Sequence, residues 1–294
     1  MKLLVTGRTG QVATSLVERA QGLSDVELLA AGRPDLDLAI RGSAKALIDA
    51  VRPDVVINTA AFTAVDAAED CPDEADRINA EAAGEIAAAC ASAGARLIHL
   101  STDYVFDGTS DRPYREDDPV APLGVYGKSK LAGEVAVRLA LPGATILRTA
   151  WIYSPFGHNF VRTMVRLAGE RDEISVVDDQ HGNPTSALDL ADAILALAAR
   201  WSSGDAVGEG ETYHLAGPDA ISWAGFAAKV MDQLRALGQP AANVRPIASA
   251  DWPTKAPRPT NSTLDTGKYR RDVGAALPSL DASLEHVIRR LVAA

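Results

Sequence analysis

Cysteine is scarce. Cys71 and Cys90 are the two thiols in 294 residues, too few for a disulfide framework and wrongly spaced for a metal-ligand set. Both are expected to be reduced and buried or half-buried. Long apolar runs are also missing, since none reaches the ~18 residues that a membrane span needs. Positive charge is in deficit, with 29 Lys and Arg against 39 Asp and Glu and a formal net charge of −10. That balance argues against nucleic acid or an anionic membrane as the main partner. It leaves room for a local basic pocket around a phosphorylated ligand. The chain opens on the strand-like KLLV, without the apolar core and cleavage site of a secretory signal. A cytoplasmic location is the expectation.

What is present is a strict alternation. The short apolar runs KLLV, VELLAA, DVVINTAA, ARLIHLS and ATILRTA read as buried strands. Helix-like segments begin between them near Gln11, Ser43, Asp73 and Tyr126. Such a rhythm predicts an α/β fold, a doubly wound, Rossmann-like parallel sheet covered on both faces. Residues 1–150 form the dinucleotide-binding part. Residues 185–216, a helix followed by the strand-like TYHLAG, return to the same sheet. Residues 151–184 and 217–294 make a smaller substrate-binding part. Ser202–Glu211 reads as a solvated loop, the stretch with Pro253, Pro257 and Pro259 as an ordered loop, and a last helix follows Pro278.

Gly7 and Gly10 lie between the first strand and the first helix. A turn of that kind lets a pyrophosphate approach the backbone and rest on the helix N-terminus. The turn spans Gly7, Thr9 and Gly10 and runs on into Gln11 and Val12; a tight structural turn would use the same glycines. Ala13 replaces the usual third glycine. About 20 residues further on, an acid would select the ribose hydroxyl of NAD and an arginine the 2′-phosphate of NADP. Arg33 comes first there, ahead of Asp35 and Asp37. The lean is towards NADPH, with use of NADH left open and a plain surface arginine as the alternative for Arg33.

Ser101 and Thr102 bring hydroxyls to the end of the fourth strand, at the edge where such sheets bind ligands. Tyr126 and Lys130 lie one turn apart on one helix face. A solvated pair would show the same spacing. Together with the glycine turn, however, a hydroxyl, a phenol and an ammonium can converge on a carbonyl. Tyr126 would donate the proton, Thr102 would bond the oxygen, and the Lys130 charge would lower the phenol's pKa from ~10.

TGRTGQV, AAFTAVDAAE, STDYVFDG, VYGKSKLAGE, RTAWIYSPFGHNFV, DQHGNPT, YHLAG, SWAGFA and RPTNSTLDT follow one another in order. In them the chain resembles the extended short-chain dehydrogenase/reductases, in particular the nucleotide-sugar ketoreductases, from about Lys2 to about Pro278. The resemblance implies NAD(P)H-dependent reduction of the C4 ketone of a dTDP-linked deoxysugar. It implies Thr102, Tyr126 and Lys130 as catalytic, and Gly10, Gln11 and Val12 at the cofactor pyrophosphate. Asp37 and Leu38 would lie near the adenine, with Ala61, Phe62 and Thr63 beside the cofactor and Leu100 behind it. Asp103, Tyr104 and Trp151 would meet the sugar or its phosphates, and Arg258 and Asn261 the nucleotide. A core aromatic at Trp151 and a loop-fixing ion pair at Arg258 are the alternatives. His99 is expected in the core. Some relatives dimerise through Mg²⁺ held by glutamates at positions that match Ser15 and Leu188 here, which cannot ligate it. No structural metal is expected, and a monomer or weak homodimer is. Reduction or epimerisation of another nucleotide-linked keto sugar, or a non-catalytic regulatory role, stay open at this point.

Overall fold

The computed structural model describes residues 1–293. Strands and helices alternate through the first half: β1 (Lys2–Thr6), α1 (Gln11–Ala20), β2 (Glu27–Ala31), α2 (Ser43–Val51), β3 (Val55–Asn58), α3 (Val65–Ala68), α4 (Pro72–Asp76), α5 (Ala82–Ala93), β4 (Arg96–Thr102), α6 (Val125–Ala140) and β5 (Thr145–Thr149). A π-helical turn, Arg77–Glu81, joins α4 to α5. There follow β6 (Ile152–Tyr153), α7 (Phe160–Ala168), β7 (Glu173–Val177), β8 (His181–Gly182), β9 (Thr185–Ser186), α8 (Ala187–Ser202), β10 (Thr212–His214), β11 (Ile221–Ser222), α9 (Trp223–Ala236), β12 (Asn243–Ile247), α10 (Gly267–Val273) and α11 (Leu280–Val292).

The central sheet has six strands in the order β10-β5-β4-β3-β1-β2, all paired parallel. Its inner strands are continuous apolar runs because both faces are covered. Successive side chains point to opposite faces. Leu3, Val5, Ile57, Ile98 and Leu147 pack with Leu16 of α1 and Leu190 and Ile194 of α8. Leu4, Val56 and Leu97 pack the other way, on Ile48 of α2 and Ile86 of α5. A Leu or Ile fully buried in this manner contributes roughly 1.5–3 kcal/mol. The chain runs from β1 outward to β2, then returns to the far side of β1 as β3. The strand order reverses there, and the crevice outside the carboxyl ends of β1 and β3 is where such sheets receive ligands.

A second core gathers Tyr153, Val161, Phe226, Val230 and Leu284 beneath the parallel pair β7–β12. Two elements, β12 beside this core and α10 beside the main sheet, lack a clear sequence signal. β12 is half exposed and contains Pro246, and α10 opens on a glycine. The segment expected to be a solvated loop at 202–211 is mostly exposed and is pinned at two carbonyls. Val207 O accepts from Trp201 Nε1 (2.8 Å) and Gly208 O from Thr145 Oγ1 (2.6 Å). Cys90 is buried, and burial pushes its thiol up to about 12, whereas Cys71 is exposed rather than half-buried. Cys71 stands just before Pro72, which opens α4, and its side chain faces outward. His99 is buried as expected, with Nδ1 2.9 Å from Asn58 Nδ2. Among the described residues no helix is long and apolar enough to cross a membrane.

Candidate active site

Gly7 takes φ +97°, a conformation that glycine adopts without strain, and turns the chain from β1 into α1. The first turn of α1 follows an extended Gly10, with no side-chain cap and no acidic residue. Its orphan N–H groups therefore face outward beside Thr9 and Gly10, which are exposed. Gln11 adds only backbone here, because its side chain is taken up elsewhere. Nε2 donates to Ile152 O (3.3 Å) and Oε1 accepts from Ser154 Oγ (2.8 Å).

At the end of β2 a second arginine stands beside the expected cofactor determinant. Arg33 is exposed and makes no hydrogen bond or ion pair among the described residues. The cation packed against this edge is Arg8. It packs on Gly32, where an added Cβ would lie 3.1 Å from Arg8 N and from its Cβ, and it pairs with Asp35. Counting residues along the chain pointed to the tip of β2, while the glycine turn places its own arginine across the same edge. Asp37 accepts from Ala39 N (3.0 Å) and Leu38 is buried beside it.

Ala61, Phe62 and Thr63 follow β3 at the same edge. Asn79 of the π-helical turn grips this segment. Its Oδ1 accepts from Phe62 N (2.8 Å), and its Nδ2 donates to Phe62 O (3.0 Å) and Ser129 Oγ (3.0 Å). Nothing in the local sequence marks Asn79 for this task, since its partners lie 17 and 50 residues away.

Thr102 ends β4, and its hydroxyl lies close enough to the Tyr126 phenol to favour the phenolate. Thr102 Oγ1 also bonds Asp103 Oδ1 (2.9 Å) and accepts from Tyr104 N (3.2 Å). Lys130 is buried and donates from Nζ to Leu100 O (2.7 Å). Burial pushes the Tyr126 phenol up to about 12, opposed by the nearby Thr102 hydroxyl, and Asp103 raises it further. The expected lowering by Lys130 is not found, because desolvation dominates and the ammonium is directed at a carbonyl. Burial brings Lys130 itself down to about 8, opposed by Glu134. It lifts Asp103 to about 6, against its hydrogen bonds. Asp103 Oδ2 is buried without a hydrogen-bond partner.

Tyr104 meets the Tyr126 ring edge-on at 5.8 Å, and both line a small cleft with Gly124, Pro257 and Pro259. Arg258 donates from Nη2 to Asp66 Oδ2 (2.9 Å), while its Nη1 is buried and has no hydrogen-bond partner. Trp151 sits just past β5 at φ +45° and stacks on Trp223 at 3.5 Å and 6°. A Cβ on Gly182 would lie 2.3 Å from Trp151 Cε2, so only glycine admits the indole there. Asn261 is engaged within its own loop. Its Nδ2 donates to Ser110 O (2.8 Å) and Arg112 O (3.2 Å), and its Oδ1 accepts from Thr263 N (3.0 Å) and Thr263 Oγ1 (2.7 Å). Both ends of that amide are spent on fixing the loop. Ser15 and Leu188 are buried, and the described residues contain no group of three or more His, Cys, Asp or Glu that could hold a metal ion.

A doubly wound parallel sheet, a glycine turn at its switch point and a threonine, tyrosine and lysine converging on its carboxyl edge define an extended short-chain dehydrogenase/reductase. The family model for the RmlD substrate binding domain matches residues 1–293. The chain is 44% identical to the dTDP-4-dehydrorhamnose reductase of Sinorhizobium fredii, over 99% of this chain and 98% of that protein. With the Escherichia coli protein of the same name it is 38% identical, over 99% and 98%. Its fold superposes on the crystal structure of a dTDP-4-dehydrorhamnose reductase from Clostridium acetobutylicum with a TM-score of 0.91, at 36% identity over 99% of this chain and 100% of that one. The Bacillus anthracis enzyme, solved in complex with NADP, gives 0.90 at 34% identity over 98% of both chains. The chain belongs to the dTDP-4-dehydrorhamnose reductase family.

Proposed function

We propose that this protein reduces the C4 ketone of dTDP-4-dehydro-L-rhamnose to give dTDP-L-rhamnose, with NADPH as the preferred cofactor and NADH accepted. The observation that carries this reading is the convergence of Thr102, Tyr126 and Lys130 on the edge that also presents the uncapped N-terminus of α1. A dinucleotide fits that edge, since Gly7 gives room and the outward N–H groups of α1 suit a pyrophosphate. When bound, the cofactor supplies the hydride that goes to C4. Thr102 holds the C4 oxygen by a hydrogen bond, and Tyr126 donates a proton to it. Reduction needs a proton donor, and a phenol raised by burial is fully protonated at neutral pH. Lys130 would supply positive charge at the same edge, held by Leu100 O.

Around this trio, Gly10, Gln11 and Val12 would hold the pyrophosphate by backbone groups. Asp37 and Leu38 would flank the adenine, and Ala61, Phe62, Thr63 and Leu100 the nicotinamide half. Asp103, Tyr104 and Trp151 would contact the sugar, with Arg258 offering its free Nη1 to the phosphates. The division of labour is 1–150 with 185–216 for the cofactor, and 151–184 with 217–294 for the substrate. A cytoplasmic monomer or weak homodimer fits the acidic balance and the family's nucleotide-sugar substrates. The test is incubation of the purified chain with dTDP-4-dehydro-L-rhamnose and NADPH. The expected result is loss of NADPH absorbance matched by dTDP-L-rhamnose in the product analysis. A C4 epimer of the product, or no oxidation of NADPH, would overturn the reading.

A further inference from the structure

Beyond Lys130, α6 carries one more buried charge on the same face. Tyr126, Lys130 and Glu134 are spaced four apart, so they stack along the helix. Glu134 is 6% exposed and Arg148, on β5, is 6% exposed. The guanidinium grips the carboxylate with two hydrogen bonds, Nε to Oε1 (2.9 Å) and Nη2 to Oε2 (2.7 Å). Ser101 Oγ donates to Oε1 (2.5 Å). Three consecutive residues of β4 thus serve three residues of α6: Leu100 holds Lys130, Ser101 holds Glu134 and Thr102 meets Tyr126. Buried ion pairs are weak stabilisers, and well-packed apolar residues in their place are often neutral or better. Stability therefore does not account for charge at this position.

We infer that Glu134 is a positioning residue for Lys130, its carboxylate, fixed by Arg148 and Ser101 one turn further along α6, keeping charged the ammonium that Leu100 O seats. The inference rests on the reading of Tyr126 and Lys130 as the working pair. The groups around Lys130 leave this task to Glu134. On β4, His99 is neutral, held far below its ordinary pKa by burial and by Lys130 itself. On β10, His214 is brought down to about 3 by burial and by Arg148. Asn79 and Ser129 are neutral, and Glu116 turns its carboxylate to His214 N (2.8 Å). Asp103 acts on Tyr126 rather than on Lys130. Arg138, one turn beyond Glu134, feels the same carboxylate from the other side. Burial alone drives Lys130 towards its neutral form, and Glu134 is the group that opposes it.

The sign of the effect follows. Lys130 loses its proton as pH rises, and the alkaline limb of the kcat/KM profile reports that loss. Without the Glu134 charge the proton leaves earlier, and in Glu134→Gln the unpaired Arg148 adds a repulsion of the same sign. The experiment is the pH profile of kcat/KM for dTDP-4-dehydro-L-rhamnose with NADPH, on wild type, Glu134→Gln, Glu134→Asp and the double variant Glu134→Met with Arg148→Met. The limb should move down by about one pH unit in Glu134→Gln and return most of the way in Glu134→Asp. The double variant leaves no unpaired buried charge and keeps the inference testable where Glu134→Gln misfolds; its limb should also move down. Limbs that coincide with wild type in the folded variants, whatever happens to kcat, would overturn the inference. Wild-type activity in Tyr126→Phe would instead overturn the reading on which it rests.

Discussion

At the scale of single residues, the phenol and the two arginines near the cofactor edge carry the sharpest expectations. Tyr126→Phe keeps the ring that lines the cleft with Tyr104 and removes only the proton donor. Turnover should fall ~10²–10⁴-fold while NADPH still binds with an unchanged Kd, read by fluorescence titration. Turnover like that of wild type would remove Tyr126 from its role. Arg8 and Arg33 divide a second expectation. Arg8 reaches over Gly32 to Asp35, whereas Arg33 faces solvent. A guanidinium suits a 2′-phosphate, but a half-exposed pair contributes only ~1 kcal/mol. The preference for NADPH over NADH should therefore be on the order of tenfold, equal to about 1.4 kcal/mol. Arg8→Ala should abolish it in kcat/KM and Arg33→Ala should leave it; the reverse pattern would restore Arg33 as the determinant. The trio was legible in the sequence because its spacing is local, four residues on one helix and one strand end. Arg8 was present in the quoted turn, but its reach over β2 depends on how the first two strands pair.

At the scale of elements, the legible parts were those whose burial shows as a continuous apolar run or a helical stripe. β1, β3, β4 and β5 are of that kind, and so are α1, α8 and α9. β12 was not legible, because an edge strand with Asn243, Arg245 and Pro246 has no apolar signature. The wall beside the trio was half legible. Trp151 stood out, but its supports Gly182 and Trp223 come from β8 and α9, and only the fold brings the three together. This wall yields an elementary test. Gly182→Ala would place a methyl group at 2.3 Å from the indole, so Trp151 must move. KM for the dTDP-sugar should rise at least several-fold with NADPH binding unchanged, and the intrinsic tryptophan fluorescence should change. An unaltered KM would mean that the Trp151–Trp223 stack takes no part in binding.

At the scale of the whole molecule, Ser15 and Leu188, the two positions that the resemblance matches to metal-binding glutamates of some relatives, are sealed in the core and carry no carboxylate. Activity and solution mass should accordingly survive EDTA, measured by turnover and by light scattering before and after chelation. Loss of activity that Mg²⁺ restores would contradict this. The doubly wound plan was readable from the alternation alone, whereas the connectivity of its last strand was readable only as a hint in TYHLAG. That strand has a consequence for biosynthesis. Residues 212–214 complete the sheet beside β5, and α8 fills the face that α1 leaves open. A nascent chain that has emerged only as far as residue 150 has five of its six sheet strands but an unpaired β5 edge and a naked apolar face. The cofactor-binding half therefore cannot finish folding on the ribosome until much of the other half has been made, and a chaperone that shields strand edges would find its substrate in that interval.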